Sequence, residues 1–222
     1  MDLRLCIVTA AVPELGRDHY DVAMAAINGG ATAIQLRIKR RGMGEALKIA
    51  NEIHAAANEA GVSLIVNDHV GIAMASKAEG LHTGPDDISI SAARKMLGRK
   101  VIIGRSTGGK PADAVKAEQD GADYIGVGPV FSTSTKNGVG PAIGAKQLTK
   151  IKAVVKIHVI AVGGIDISNL AQCFKAGADG VAVISAVTMA DDMHGAVIDL
   201  RMALDKVDAE VKPAAPARSQ KR

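Results

Sequence analysis

The 222-residue chain contains no tryptophan, and only 2% of it is aromatic. Proteins that hold single-stranded nucleic acid stack its bases on aromatic side chains, so that class loses its platform. An excess of one charge is missing as well. Of the 27 basic side chains, Lys212, Arg218, Lys221 and Arg222 fall in the last twelve residues, which contain no acid. The rest of the chain balances its 23 acids, so the net charge of +4 belongs to a tail and not to a binding face. No nucleic-acid partner is expected. The longest apolar stretches, such as Val181 to Val187, fall far short of the roughly 20 residues that cross a bilayer. The N-terminal Met1-Asp2-Leu3-Arg4 enters a strand pattern without a small-residue cleavage site. A soluble cytoplasmic protein with no membrane partner is therefore the expectation. The two cysteines, Cys6 and Cys173, have no CxxC or metal-type spacing, which points to two buried reduced thiols.

What is present is a strict alternation. Short runs rich in β-branched residues lie near Leu3–Thr9, Ala33–Arg37, Ser63–Val66, Gly80–His82, Val101–Gly104, Tyr124–Val127, His158–Ala161 and Gly180–Ile184. Amphipathic segments separate them, and a last helix is expected over Met193–Val207. The short runs are apolar on both faces, as strands of a covered parallel sheet must be. A weak repeat, seen in Gly30-Ala31-Thr32-Ala33-Ile34, Gly121-Ala122-Asp123-Tyr124-Ile125 and Gly177-Ala178-Asp179-Gly180-Val181, reads as a left-handed helix end followed at once by a strand. Lys77-Ala78-Glu79-Gly80-Leu81 is a looser copy. Eight such units, with no Gly-x-Gly-x-x-Gly after the first strand, favour an α/β fold in the form of a single (β/α)8 TIM barrel over residues 1–207. Residues 208–222, rich in Pro, Ala, Lys and Arg, read as a disordered tail.

In such a barrel the active site gathers at the C-terminal strand ends. Polar residues stand there and almost nowhere within the strands. Gln35, Arg37 and Lys39 alternate after the second strand, Asn67-Asp68 follow the third, and His82 to Asp87 follow the fourth. Arg105-Ser106 end the fifth, and a run through Thr133, Thr135 and Lys136 follows the sixth. Arg37, Lys39 and Lys136 are cations suited to a polyphosphate. Asp68 and Asp87 are hard oxygen ligands suited to Mg²⁺, although Asp87 precedes a helix and capping would also explain it. Gly163-Gly164 and Ile184-Ser185 suit a phosphate held by backbone N–H groups, a site many barrels share.

With these residues in place, the chain resembles the thiamine phosphate synthase family from about Leu3 to Val207. The elements that carry the likeness are Gln35-Leu36-Arg37-x-Lys39, Asn67-Asp68, Gly-Pro-Val-Phe-x-Thr133-x-Thr135-Lys136, Gly163-Gly164-Ile165 and the run from Gly177 to Ala186. The resemblance implies that Gln35, Arg37, Lys39, Asn67, Ser106 and Lys136 hold a pyrimidine diphosphate, with Arg37, Lys39, Ser106 and Lys136 as the catalytic set. It implies that Asp68 and Asp87 bind Mg²⁺. Thr133, Thr135, Gly164, Ile184 and Ser185 would hold a thiazole phosphate. The implied reaction is a dissociative, Mg-assisted substitution in which pyrophosphate leaves first, the thiazole nitrogen captures the carbocation, and thiamine phosphate results.

Four positions depart from the family pattern: Ala10 in place of an Asp after Thr9, His69 in place of Arg after Asp68, Pro85 in place of Gln before Asp87, and Gly108 in place of His after Thr107. Three other readings compete. One is a thiazole tautomerase-like barrel, which would not need Asp68, Asp87 and Lys136 together. Another is a non-catalytic barrel that binds thiamine precursors. A third is another phosphate-binding barrel, such as an isomerase of sugar phosphates or of anthranilate derivatives, which would need an acid–base pair, for which only His82 and Asp87 offer material. A homo-oligomer is compatible with the sequence.

Overall fold

The computed structural model describes residues 1–39, 41–133, 135 and 140–211. Among them eight parallel strands close a barrel in sequence order: β1 (Leu5–Val8), β2 (Ala33–Leu36), β3 (Ser63–Asn67), β4 (Gly80–Thr83), β5 (Ile102–Ser106), β6 (Tyr124–Val127), β7 (His158–Val162) and β8 (Gly180–Val183). The intervening helices are α1 (His19–Asn28), α2 (Met43–Glu59), α3 (Val70–Ser76), α4 (Ile90–Leu97), α5 (Pro111–Gln119), α6 (Ala145–Lys152), α7 (Leu170–Lys175), the four-residue α8 (Ser185–Thr188) and α9 (Met193–Val211). The expected (β/α)8 TIM barrel is the observed fold. Among the described residues no helix is long and apolar enough to cross a membrane.

Most element boundaries shift by a residue or two from expectation, and two of the shifts bear on the site and the chain's end. β5 continues past Gly104 because Thr83 pairs with Arg105 and Gly126 with Ser106, which carries both residues into the barrel mouth. α9 runs to Val211, four residues past the expected end of the barrel, and Asp208 pairs with Arg4 at its base. The remainder of the expected tail, 212–222, lies outside the described residues.

Burial on both faces of the strands divides the apolar interior into two cores. The outer one, between strands and helices, includes Leu5, Ile7, Ile34, Leu64, Ile103, Ile125 and Val181. The inner one fills the barrel with Leu3, Cys6, Val8, Ala33, Ile65, Tyr124, Ile160 and Ala182. Both cysteines are free and buried, and burial pushes each thiol up to about 12.

The repeat seen in the sequence stands before each even-numbered strand and has a common geometry. Gly30, Gly121 and Gly177 have φ near +90°, and Lys77 takes the same left-handed role at +58°. In each copy the next residue donates its N–H back into the preceding helix, as from Ala31 to Ala26, Ala78 to Ala73, Ala122 to Ala117 and Ala178 to Cys173, all at 3.0–3.1 Å. The third residue then accepts an N–H from the strand before. Thr32 Oγ1 takes Leu5 N (3.0 Å), Glu79 Oε2 takes Leu64 N (2.8 Å), Asp123 Oδ2 takes Ile103 N (2.7 Å) and Asp179 Oδ2 takes Val159 N (2.7 Å). Thus every odd strand has its entry N–H bonded to a side chain that leads into the following even strand. These contacts occupy the bottom of the barrel and leave the top to the site.

Candidate active site

The barrel mouth opens into a cavity of about 890 Å³ that reaches down to Cys6, Ile65 and Tyr124 in the inner core. Twelve of the thirteen site residues named from the sequence line it. Gln35, Arg37 and Lys39 come from the end of β2, Asn67 and Asp68 from β3, Asp87 from the β4–α4 loop and Ser106 from β5. Thr133, Thr135, Gly164, Ile184 and Ser185 line the side formed by β6 to β8. The thirteenth, Lys136, lies outside the described residues.

The two carboxylates are in contact with each other and with a cation. Asp68 adopts the left-handed conformation (φ +64°), which turns it off the end of β3, and Lys39 Nζ donates to its Oδ2. Burial opposes ionisation of Asp68, but a hydrogen bond from the Asp87 carboxyl and the Lys39 ammonium outweigh it, so its pKa lies below the ordinary carboxylate value. Asp87 is pushed the other way by burial and by the Asp68 charge, with the Gly84 N–H opposing at 2.7 Å. Helix capping does not account for Asp87. Ser89 is the N-cap of α4 and accepts from Ala92 N at 3.2 Å. Among the described residues no group of three or more His, Cys, Asp or Glu is placed to hold a metal. Two hard oxygen donors suit Mg²⁺, which usually takes one or two carboxylates and completes its shell with phosphate oxygens and water.

The opposite rim is mainly backbone. Gly163 and Gly164 both have positive φ (95° and 66°), and a Cβ on Gly164 would lie 2.5 Å from Ser132 O. Asn169 Nδ2 holds the Gly164 carbonyl at 2.9 Å. Thr135 N donates to Thr133 Oγ1 (3.2 Å), and the Thr133 hydroxyl donates to that of Thr135 (3.1 Å).

Three supporting residues were not assigned from the sequence. Arg105 ties down the loop that carries Asp87, donating to Thr83 Oγ1 (3.2 Å), Ile88 O (3.3 Å) and Pro85 O (3.0 Å). Its only signal was a cation next to Ser106, and strand alternation sets the two on opposite faces. Thr9 Oγ1 accepts the backbone N–H of Arg37 (3.3 Å) and bonds His19 Nδ1 (2.8 Å). Tyr124 reads as an ordinary strand residue, yet its hydroxyl meets His82 Nδ1 at 3.0 Å. His82 is buried and bonded through its other nitrogen to Ser106 Oγ at 2.9 Å. The His82 ring thus bonds Tyr124 and Ser106, whereas Asp87 bonds Gly84 and Asp68.

The family model described as thiamine monophosphate synthase matches residues 5–187. The chain belongs to the thiamine monophosphate synthase family. It is 45% identical over 196 residues to the thiamine-phosphate synthase of Methanospirillum hungatei, covering 88% of this chain and 95% of that one. It is 44% identical over 201 residues to the thiamine-phosphate synthase of Chloroflexus aurantiacus, covering 90% and 92%. A solved thiamine phosphate pyrophosphorylase from Pyrococcus furiosus superimposes with a TM-score of 0.84 at 37% identity, covering 93% of this chain and 97% of that one. Membership in the thiamine monophosphate synthase family makes the chain an enzyme of thiamine biosynthesis and a transferase.

Proposed function

We propose that this enzyme joins hydroxymethylpyrimidine diphosphate to hydroxyethylthiazole phosphate, giving thiamine phosphate and pyrophosphate, with Mg²⁺ at Asp68 and Asp87. The observation that carries this reading is the meeting of Asp68, Asp87, Lys39 and Arg37 on one rim of a cavity whose other rim is the Gly163–Gly164 backbone and the start of α8. A diphosphate belongs at the first rim and a monophosphate at the second.

Bound at Asp68 and Asp87, Mg²⁺ would supply neutralisation of the diphosphate charge. Arg37, Lys39 and Lys136 take up the negative charge that grows on the departing oxygen as the C–O bond breaks. Gln35, Asn67 and Ser106 orient the pyrimidine half, whose ring stabilises the carbocation left behind. Thr133, Thr135, Gly164, Ile184 and Ser185 hold the thiazole phosphate so that its ring nitrogen faces that carbon. The nitrogen lone pair forms the new C–N bond, so no proton has to move and no nucleophile–base pair is required. Positioning supplies much of the remaining rate. The apolar floor of Cys6, Val8, Ile65, Ile160 and Ala182 keeps water from competing for the cation.

The test is direct. Purified protein is incubated with both substrates and Mg²⁺, and pyrophosphate release is followed together with thiamine phosphate formation. Release should require every component. Its absence in the complete mixture would refute the reading.

A further inference from the structure

The buried polar chain beneath Ser106 has a direction. Tyr124 on β6, His82 on β4 and Ser106 on β5 stand inside the barrel, with Oη–Nδ1 at 3.0 Å and Nε2–Oγ at 2.9 Å. Glycines make room for the two rings. A Cβ on Gly104 would lie 2.0 Å from Tyr124 Cζ, and one on Gly126 would lie 3.1 Å from His82 Cε1. The pairing His82–Gly104–Tyr124 alternates large and small residues across three neighbouring strands.

Tyr124 is 3% exposed, and among the described residues its hydroxyl has His82 Nδ1 as its sole hydrogen-bond partner. A buried hydroxyl proton without an acceptor is costly, so the O–H donates to Nδ1. Burial raises the phenol well above its ordinary range, which keeps that proton in place. With Nδ1 accepting, the ring proton of a neutral imidazole sits on Nε2 and is donated to Ser106 Oγ. The serine hydroxyl is then left to donate into the cavity.

We propose that Tyr124 is a positioning residue: through His82 it fixes the Ser106 hydroxyl as a donor to an acceptor atom of the pyrimidine diphosphate, a ring nitrogen or a diphosphate oxygen. The proposal rests on the reading that Ser106 faces that substrate. It makes the subsite select for acceptors, because a ligand group that only donates would meet a donor.

Two measurements test it. In protein labelled with ¹⁵N-histidine, the His82 resonances should show an unprotonated Nδ1 and a protonated Nε2, and Tyr124→Phe should give a mixture of tautomers. With pyrimidine diphosphate, Tyr124→Phe should raise KM about tenfold, the effect of one hydrogen bond, and leave the KM for thiazole phosphate unchanged. In an His82→Gln background, where the amide donates to Ser106 regardless of Tyr124, the same change should add less than about twofold. A wild-type His82 protonated on Nδ1 would overturn the proposal. So would an unchanged tautomer and KM in Tyr124→Phe. If that variant fails to fold, the wild-type spectrum and the His82→Gln to His82→Leu comparison still decide. Retained affinity in both of these variants would refute the relay. If Ser106→Ala alone leaves pyrimidine kinetics intact, the reading of Ser106 fails, while the spectrum still reports on the relay.

Discussion

Removing the side chain of Asp123 should destabilise the barrel without touching its chemistry. Asp123 Oδ2 accepts the N–H of Ile103, a fully buried residue, at 2.7 Å and pairs with Arg94 Nη2 at 2.5 Å. Asp123→Ala leaves the entry N–H of β5 unsatisfied, which costs about 1–3 kcal/mol. The ion pair is partly exposed, with Asp123 39% accessible, and adds at most about 1 kcal/mol. A total of about 2 kcal/mol lowers Tm by roughly 4–8 °C in a domain of this size. Asp123→Asn keeps an oxygen that can accept from Ile103 N, so it should lose less than half as much. Thermal unfolding by circular dichroism and urea titration of the two variants read these numbers, with pyrophosphate release as a control that should be unchanged at 25 °C. If Asp123→Ala moved stability by less than about 0.5 kcal/mol, the typical scatter of neutral surface changes, the entry contact would be incidental. If Asp123→Asn cost as much as Asp123→Ala, charge and not the backbone bond would be the source.

Three other outcomes follow from the site. Asp68→Asn and Lys136→Ala should each lower turnover at least ~100-fold, the low end for removing a key electrostatic group, and near-normal rates for both would sink the proposed chemistry. Arg105→Ala, which frees the loop bearing Asp87, should raise the Mg²⁺ concentration needed for half-maximal activity by roughly tenfold or more. Arg105→Lys should not restore it, since a single ammonium cannot span Thr83, Pro85 and Ile88; an unchanged Mg²⁺ titration would show the loop to be held without Arg105. Burial, opposed by Asp18 and reinforced by Arg41 and Arg37, holds His19 below its ordinary value of 6.5. The unfolded chain therefore takes up that proton first, and stability should be lost as pH falls below 6.5 toward the folded value. His19→Gln should flatten the slope of Tm against pH in that window, and an identical slope would remove His19 as its source.

Most of the fold is visible in the order of residue types. Both-face apolar runs such as Ala33–Leu36 and Tyr124–Val127 demand covered parallel strands, and eight of them in alternation with helices close into a barrel. The site's charged members are legible as a set, because polar residues recur at one strand end after another, while any one of them alone fits a solvated loop. Arg105, Thr9 and Tyr124 escape notice since each also fits an ordinary role: a strand-end charge, a β-branched residue, an aromatic in a strand. Their roles depend on which side chain stands on the neighbouring strand.

Local chemistry thus determined the periodicity, the helix ends at Gly30, Lys77, Gly121 and Gly177, and the residues gathered at the barrel mouth. These follow from backbone sterics and burial, which act within a few residues. Tertiary structure alone decided that Asp68 meets Asp87 and Lys39, that Thr32, Glu79, Asp123 and Asp179 each serve the strand before them, and that Tyr124 reaches Ser106 through His82. Those pairings are set by strand register around a closed sheet. Register is a property of eight segments packed together, and no single segment encodes it.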